Sequence, residues 1–194
     1  MNIQYMKITD KREAILQATM QLITEHGFHA TPMSMVAKQA GVAAGTIYHY
    51  FSSKEELINK LYAELKQKMG AALLQNDAGS SNIRERFFRF YRNLYTHFIQ
   101  HPDEFGFLEQ YANSPYISQA SKEENQQFYK PVVDFLLQGM EMGVLRGMEQ
   151  ELITALVYGH VVSVAKLQLS GQLEITDTRL QQAIQSCWDS VKIN

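Results

Sequence analysis

A group of hydrogen-bonding side chains stands out in the segment "KQAGVAAGTIYHYFSSKEEL", residues 38 to 57. Thr46, Tyr48 and His49 can donate or accept hydrogen bonds, and Lys54 adds a positive charge. Three small residues precede this group: Ala43, Ala44 and Gly45. A face opened by small residues can approach DNA closely, where methyl groups contact thymine and hydroxyls bind base edges or phosphates. The segment therefore predicts a nucleic-acid contact site.

Two short helices joined by a sharp turn would present these side chains. Gly41 can adopt a positive φ and turn the chain, and Ala37 leaves room for the next helix to cross closely. The apolar residues then fall on the faces that the two helices share: Val36, Ala40, Val42, Ile47 and Tyr50. A competing interpretation is ordinary helix packing, with Tyr-His-Tyr-Phe as an aromatic core. The agreement of turn chemistry and apolar pattern favours a helix-turn-helix unit, with Phe51 in its core.

The next helix is predicted to begin at Ser53. Glu56 stands three residues later, which is the spacing of a capping box. Lys54 lies in the first turn, where a positive charge is unfavourable unless an anion offsets it. This arrangement favours a phosphate near Lys54.

Apolar residues recur at helical spacing along nearly the whole chain, and no stretch alternates with period two for long enough to form a strand. The sequence therefore predicts an all-α fold. The first helix ends at Gly27, and the second follows Thr31, a cap candidate, and runs through Ala40. Later helices are expected over residues 53–75, 82–100, 103–112, 118–143, 148–169 and 177–192, with "GVLRGM" and "SGQLEITD" as breaks.

The stretch "GFHATPMSMVAKQAGVAAGTIYHYFSSKEELI" resembles the DNA-binding domain of the TetR/AcrR family of bacterial transcriptional regulators, over roughly residues 10 to 65. The resemblance implies a helix-turn-helix DNA-binding domain at residues 1–52, a connecting helix from about 53, and a helical ligand-binding and dimerisation domain at 53–194. It also implies the residues that contact operator DNA: Thr31, Ser34, Ala44, Gly45, Thr46, Tyr48, His49, Tyr50 and Lys54. Ala43 and Ala44 depart from the polar residues that the family often has there, which leaves the operator sequence open.

Composition narrows the function classes. The chain has 194 residues, 45% of them hydrophobic, and a net charge of −2, so a general nucleic-acid-coating role is disfavoured. The single cysteine, Cys187, excludes an internal disulfide framework and any CxxC motif. No run approaches 18 apolar residues, and no signal-peptide pattern is present at the N-terminus. We expect a cytoplasmic protein without a membrane association.

The segment "RERFFRFYRNLYTHF" places aromatic residues at helical spacing with arginines between them. One interpretation is a packed core with solvated arginines, and the other is an aromatic wall around a small molecule. The candidate ligand-binding residues are Phe87, Tyr91, Tyr95, Phe107, Tyr111, Phe128 and Tyr158. Polar candidates to orient the ligand are Arg92, Gln110, Asn113 and His160. An arginine facing inward would favour anions, such as acyl chains with a carboxylate or thioester head.

The segment "ELITALVYGHVVSVAKLQL" is apolar over more than one helical stripe, as expected for a helix that packs on its own subunit and on a partner. The residues concerned are Leu152, Leu156, Gly159, Val162 and Val164, together with Leu180, Ile184 and Trp188 of the last helix. The alternative is a helix central to its own bundle. We expect a homodimer through the C-terminal helices.

No enzyme signature emerges from the sequence. His97 and His101 are four residues apart but lack the intervening glutamate and third ligand of a metal site, and Cys187 beside Trp188 is best read as packed. We therefore predict no catalytic residue, metal or cofactor. The chain is interpreted as a transcriptional regulator, a repressor released from a palindromic operator by a small, mainly apolar ligand. The alternatives are a helical ligand-sensing or scaffold bundle that does not bind DNA, and an all-α enzyme.

Overall fold

The computed structural model describes residues 8–77, 82–111 and 114–193, and over these residues the protein is all-α, as predicted. The helices are α1 (Ile8–His26), α2 (Met33–Gln39), α3 (Ala44–Tyr50), α4 (Lys54–Leu73), α5 (Ile83–Gln100), α6 (Pro102–Tyr111), α7 (Gln119–Asn125), α8 (Lys130–Glu141), α9 (Gln150–Leu169) and α10 (Asp177–Val191). A 3-10 turn at Gln126–Phe128 lies between α7 and α8.

The chain forms two compact units. Unit 1 comprises Met1–Leu65 and Asp103–Glu123, and unit 2 comprises Lys66–Pro102 and Glu124–Asn194. Helix α4 contributes residues to both units. Unit 1 thus includes a segment from the later part of the chain, whereas the division into domains at residues 52 and 53 stays a prediction.

The core of unit 1 lies between α1 and the helix pair α2 and α3. Ile15 and Ile23 of α1, Val36 of α2 and Ile47 of α3 are at most 1% exposed. Gly27 and Gly41 end α1 and α2 with φ of 79° and 66°, a conformation that favours glycine. The predicted turns of the helix-turn-helix unit are therefore confirmed.

The prediction of Thr31 as a helix cap is wrong. Helix α2 begins at Met33 after Pro32, and no side chain caps it. The hydroxyl of Thr31 instead donates to the carbonyl oxygens of Leu22 and Gly27, at 3.1 and 2.9 Å. Thr31 thus attaches the loop after α1 to the last turns of that helix.

The prediction of one helix over residues 118–143 is also wrong. Helix α7 ends at Asn125, a 3-10 turn follows, and α8 begins at Lys130. Pro131 explains the break, because proline lacks the N–H that a continuous helix needs and its ring clashes with the preceding turn. In the first turn of α8, proline loses nothing, since that N–H would have no partner in any case.

Unit 2 is a bundle in which α5 packs on α8, α9 and α10. Buried rings pack between these helices, and Phe90 meets Phe135 edge to face at a centroid distance of 5.0 Å. The predicted break "GVLRGM" is confirmed as a loop, and it pairs with the last described residues. The amide of Arg146 donates to the carbonyl of Val191 at 2.8 Å, and the amide of Ile193 donates to Val144 at 3.0 Å.

Candidate nucleic-acid interface and ligand cavity

Helix α3 presents polar side chains on a surface that is open in this chain. Tyr48 is 57% exposed and His49 is also exposed, whereas Ile47 between Thr46 and Tyr48 is fully buried. Ala44 and Gly45 open the helix and are exposed too. A large side chain that is fully buried stabilises the folded state by about 1.5–3 kcal/mol. Because Tyr48 is exposed, its side chain does not contribute this stabilisation.

The residues around α3 divide into exposed and buried positions. Ser34 of α2 is exposed, and Tyr50 is half-buried with its ring 5.5 Å from that of His49. Phe51 is 2% exposed and belongs to the core, as predicted. Thr31 is fully buried with its hydroxyl bonded to α1, so its side chain is withdrawn from this surface. Thr31 is thus the predicted contact residue that is buried, whereas the other predicted residues are exposed or half-buried.

The start of α4 is capped as the sequence predicts, with one difference. The amide of Glu56 donates to Ser53 Oγ at 3.1 Å. The Glu56 carboxylate accepts from the amide and the hydroxyl of Ser52, at 2.7 and 2.6 Å, whereas a standard capping box would engage Ser53. These bonds lower the pKa of the Glu56 carboxyl. They fix the short connection between α3 and α4.

Lys54 is held by Phe28. Its ammonium donates to the Phe28 carbonyl and lies 4.1 Å from the centroid of the Phe28 ring. Burial lowers the pKa of Lys54, and the nearby Glu55 carboxylate partly opposes that shift. The sequence analysis expected a phosphate to offset the charge of Lys54. In the structure the Phe28 carbonyl and ring contact the ammonium. No local pattern could have revealed Phe28, because the contact joins residues 26 positions apart.

Unit 2 contains a cavity of about 780 Å³ with mainly apolar walls. Phe87, Tyr91 and Tyr158 of the predicted ligand-binding set line this cavity. The sequence missed the contributions of α4 and α8, which include Lys66, Met69, Leu73, Val133 and Phe135. A signal was present for α4, because its three residues share one face at spacings of three and four.

Four predicted ligand-binding residues lie outside the lining of this cavity: Tyr95, Phe107, Tyr111 and Phe128. Phe107 and Tyr111 belong to unit 1, where their rings stack at a centroid distance of 5.1 Å. Tyr95 is 7% exposed and its pKa is raised by burial. Phe128 brings its backbone against Gly70 of α4. Tyr95, Phe107 and Tyr111 are therefore buried packing residues, whereas Phe128 is half-buried.

None of the four arginines of α5, all of which the structure describes, lines the cavity. Arg86 and Arg89 bind the carboxylate of Asp77, whereas Arg84 and Arg92 donate to glutamines of α10. The cavity lining includes two lysines, Lys66 and Lys130. Lys130 is paired with Asp134, whereas Lys66 lies 5.6 Å and 6.0 Å from the ring centroids of Tyr129 and Tyr158. The predicted inward arginine is therefore replaced by a lysine from α4.

The other polar candidates for orienting a ligand lie in different environments. His160 Nδ1 lies 2.8 Å from the hydroxyl of Tyr91, and burial lowers the pKa of His160. Gln110 is exposed, and Asn113 lies outside the described residues.

The remaining reactive groups have ordinary structural environments. Within the described residues, no group of three or more histidine, cysteine or acidic side chains could hold a metal ion. His97 is buried and His101 exposed. Cys187 is buried, and this raises the pKa of its thiol to about 12, so it is protonated at neutral pH.

The helix-turn-helix unit with its exposed α3 face, followed by a helical bundle that contains a cavity, has the architecture of a DNA-binding regulator. Family comparison agrees: residues 15–61 match the bacterial regulatory proteins of the tetR family, and residues 62–193 match the tetracyclin repressor-like C-terminal domain. The chain therefore belongs to the TetR family. It is a DNA-binding transcriptional regulator of that family.

Comparisons with individual proteins point to the same family. The HTH-type transcriptional regulator YhgD of Bacillus subtilis is 35% identical over 92 residues, which cover 45% of this chain and 48% of YhgD. The chain thus spans about half the length of that relative. A TetR family regulator from Marinobacter aquaeolei superposes with a TM-score of 0.90 at 24% identity, over 96% of this chain and 97% of the other. The transcriptional regulator FadR of Bacillus subtilis, solved in complex with stearoyl-CoA, superposes with a TM-score of 0.70 at 21% identity. The match covers 91% of this chain and 95% of the FadR chain.

Proposed function

We propose that this protein is a cytoplasmic homodimeric repressor that binds a palindromic operator through α3 and leaves it when a small, mainly apolar anion fills the cavity of unit 2. The observation that carries the DNA-binding part is the outward face of α3, where Tyr48 is 57% exposed beside the fully buried Ile47. The TetR family membership supports the same assignment.

Each residue of this face has a proposed role that follows from its chemistry. Thr46, Tyr48 and His49 contact base edges, and Ala44 and Gly45 permit close approach. Three further side chains contact the backbone phosphates: Ser34, Tyr50 and Lys54. Thr31 is left out because its side chain is fully buried.

Lys54→Ala and Tyr48→Ala test this assignment by different signatures. Lys54→Ala should weaken binding to all sequences about equally and flatten the salt dependence by about one unit for each lysine lost. Tyr48→Ala should instead change base preference, by about 1–3 kcal/mol at the contacted position. Fluorescence anisotropy against selected operators at several salt concentrations measures both effects.

Lys192→Ala serves as the matched control, because Lys192 is in unit 2, lies outside the cavity lining and is paired with Asp189 at 2.8 Å. It should leave the salt dependence unchanged. Wild-type affinity in a variant carrying both Tyr48→Ala and Lys54→Ala would refute the assignment of α3.

The dimer proposal rests on α9. Leu152 and Leu156 are 49% and 51% exposed, although Ile153 and Val161 of the same helix are fully buried. Helix α9 is long and apolar enough to cross a membrane, by length and composition only. Only 22% of its apolar segment is buried in the single chain. A second copy of α9 would cover these leucines and place two α3 helices on two half-sites.

The cavity supports an amphipathic anion as the effector. Its volume of about 780 Å³ lies within the usual range for small-molecule sites. Apolar rings would enclose a hydrocarbon chain, and the Lys66 ammonium would bind a carboxylate or another anionic head. FadR, which shares the fold, is seen with stearoyl-CoA, and this supports fatty acids and acyl thioesters as the first compounds to test.

Helix α4 is the proposed route from ligand to DNA. Lys66, Met69 and Leu73 lie in the cavity wall, and Lys54 begins the same helix. A ligand releases DNA only if it binds more tightly to a form of the dimer whose α3 helices no longer fit the operator. A ligand that displaces the cavity end of α4 would favour such a form.

Fatty acids and acyl thioesters of graded chain length should raise the melting temperature and lower operator affinity. Lys66→Gln should weaken binding of a fatty acid by about tenfold, because one charge-assisted hydrogen bond is lost, and should leave the matching alcohol unaffected. Thermal shift followed by operator titration measures both. Stabilising compounds that leave operator affinity unchanged would contradict the switching mechanism, and equal losses for acid and alcohol would contradict the role of Lys66.

A further inference from the structure

A row of aromatic rings ends at the side chain of Lys54. Phe107 and Tyr111 of α6 stack at 5.1 Å between centroids, and Tyr116 follows at 6.4 Å from Tyr111. Tyr116 then stacks on Phe28 at 3.7 Å with an interplanar angle of 10°. All of these residues belong to unit 1. We call Tyr116 and Phe28 the stacked pair.

The chain around Tyr116 is fixed by bonds from side chain and backbone. Its hydroxyl lies 2.5 Å from His29 Nε2. The Asn59 amide group donates to the Tyr116 carbonyl at 3.0 Å and accepts from the Ser118 amide at 2.9 Å. Tyr116 is thus attached to the loop after α1 and to α4 at the same time.

Phe28 lies between two partners that occupy opposite faces of its ring. Tyr116 covers one face at 3.7 Å, so the Lys54 ammonium, 4.1 Å from the same centroid, must lie over the other. The ammonium also donates to the Phe28 carbonyl. Because an ammonium carries three donors, two remain for other acceptors.

A held lysine binds phosphate at a lower entropic cost than a mobile one. Ordering a free lysine side chain costs up to about 2 kcal/mol, and this cost lowers affinity when the ordering occurs only on binding. Burial of Lys54 lowers its pKa, which a phosphate anion would counteract. The contact with Phe28 therefore prepares Lys54 for an anion, provided that Phe28 itself stays fixed.

We propose that Tyr116 is a positioning residue for DNA binding: by stacking on Phe28 it fixes the ring and carbonyl that hold the Lys54 ammonium toward an operator phosphate. The inference rests on the proposed contact of Lys54 with DNA. It adds that operator affinity depends on a residue 62 positions after Lys54, in the connection between α6 and α7.

A double-mutant cycle separates positioning from simple stabilisation of unit 1. Operator affinity is measured by anisotropy at several salt concentrations for wild type, Tyr116→Ala, Lys54→Ala and the variant with both changes. Tyr116→Ala should weaken binding about 5- to 50-fold, because two lysines per dimer must then be ordered by the DNA. Its salt dependence should stay unchanged, since no charge is removed.

In the Lys54→Ala background, Tyr116→Ala should have no further effect, because there is no longer a lysine to position. Tyr116→Phe keeps the stacking and should bind within about twofold of wild type. Tyr116→Leu keeps an apolar side chain but removes the ring. It should weaken operator binding as Tyr116→Ala does, and it provides the test if the alanine variant does not fold. Melting temperatures identify variants that have lost the fold.

The outcomes distinguish the two proposals. The positioning role is overturned if Tyr116→Ala and Tyr116→Leu weaken binding equally with and without Lys54. It is also overturned if both variants leave binding unchanged while Lys54→Ala weakens it. In either case the proposed contact of Lys54 with DNA stands. If Lys54→Ala itself leaves operator affinity and salt dependence unchanged, the proposed contact of Lys54 with DNA fails, and the positioning proposal fails with it.

Discussion

Leu156→Arg is expected to turn the dimer into a monomer and to weaken operator binding by more than about 100-fold, because specific affinity requires two half-sites bound at once. Leu156 is 51% exposed in the single chain, on a helix whose other side is buried in unit 2. A charge there would have to be buried without a partner at the interface, which costs several kcal/mol for each copy. The monomer itself should fold, since Leu156 contributes little to its core.

Sedimentation at micromolar concentration and operator titration test this expectation together. Met142→Arg is the matched control, because Met142 is 53% exposed in the loop after α8 and receives the same new charge. The control should remain dimeric and bind DNA normally. A Leu156→Arg protein that sediments as a dimer with wild-type operator affinity would exclude α9 from the interface.

Gly70→Ala should lower stability by about 1–3 kcal/mol, as overpacking usually does. A β-carbon at Gly70 would stand 2.4 Å from the carbonyl oxygen of Phe128, and backbone cannot move aside as a flexible side chain does. Alanine is more favourable than glycine inside a helix by up to about 1 kcal/mol. The measured loss of stability would therefore be smaller than the energy of the steric clash. Thermal denaturation at fixed protein concentration measures it.

The same substitution elsewhere provides the control. Gly106 also lies inside a helix, but the nearest atom to its β-carbon would be a methyl group of Thr24 at 4.0 Å, which is ordinary contact. Gly106→Ala should therefore leave the melting temperature unchanged or raise it. Equal effects at Gly70 and Gly106 would show that the close approach of α4 and Phe128 is absent in solution.

The helix-turn-helix unit could be predicted because its signals are local. Gly41 sets the turn, Ser53 caps the following helix, and the burial of Ile47 and Phe51 follows from their spacing of four residues. Each of these features depends on residues within a few positions of one another. Agreement between such independent signals specifies both the fold of this region and its exposed face.

The cavity could be predicted only in part, because its lining depends on long-range contacts. Arg92 was a candidate to face inward, but its guanidinium reaches Gln181, 89 positions later. Phe107 and Tyr111 have the same residue types as the rings of the cavity, yet their helix packs in unit 1. Helical spacing defines the apolar face of a helix without specifying which neighbour will cover it.

The inclusion of residues 103–123 in unit 1 bears on how regulators of this family could be recombined. A chimera joined at residues 61 and 62, where the two family matches meet, would place Phe28 and Tyr116 in segments of different origin. The incoming DNA-binding domain would then meet a foreign partner at His29, Phe28 and Asn59. Because unit 1 is discontinuous in sequence, we expect a functional graft to require both of its segments.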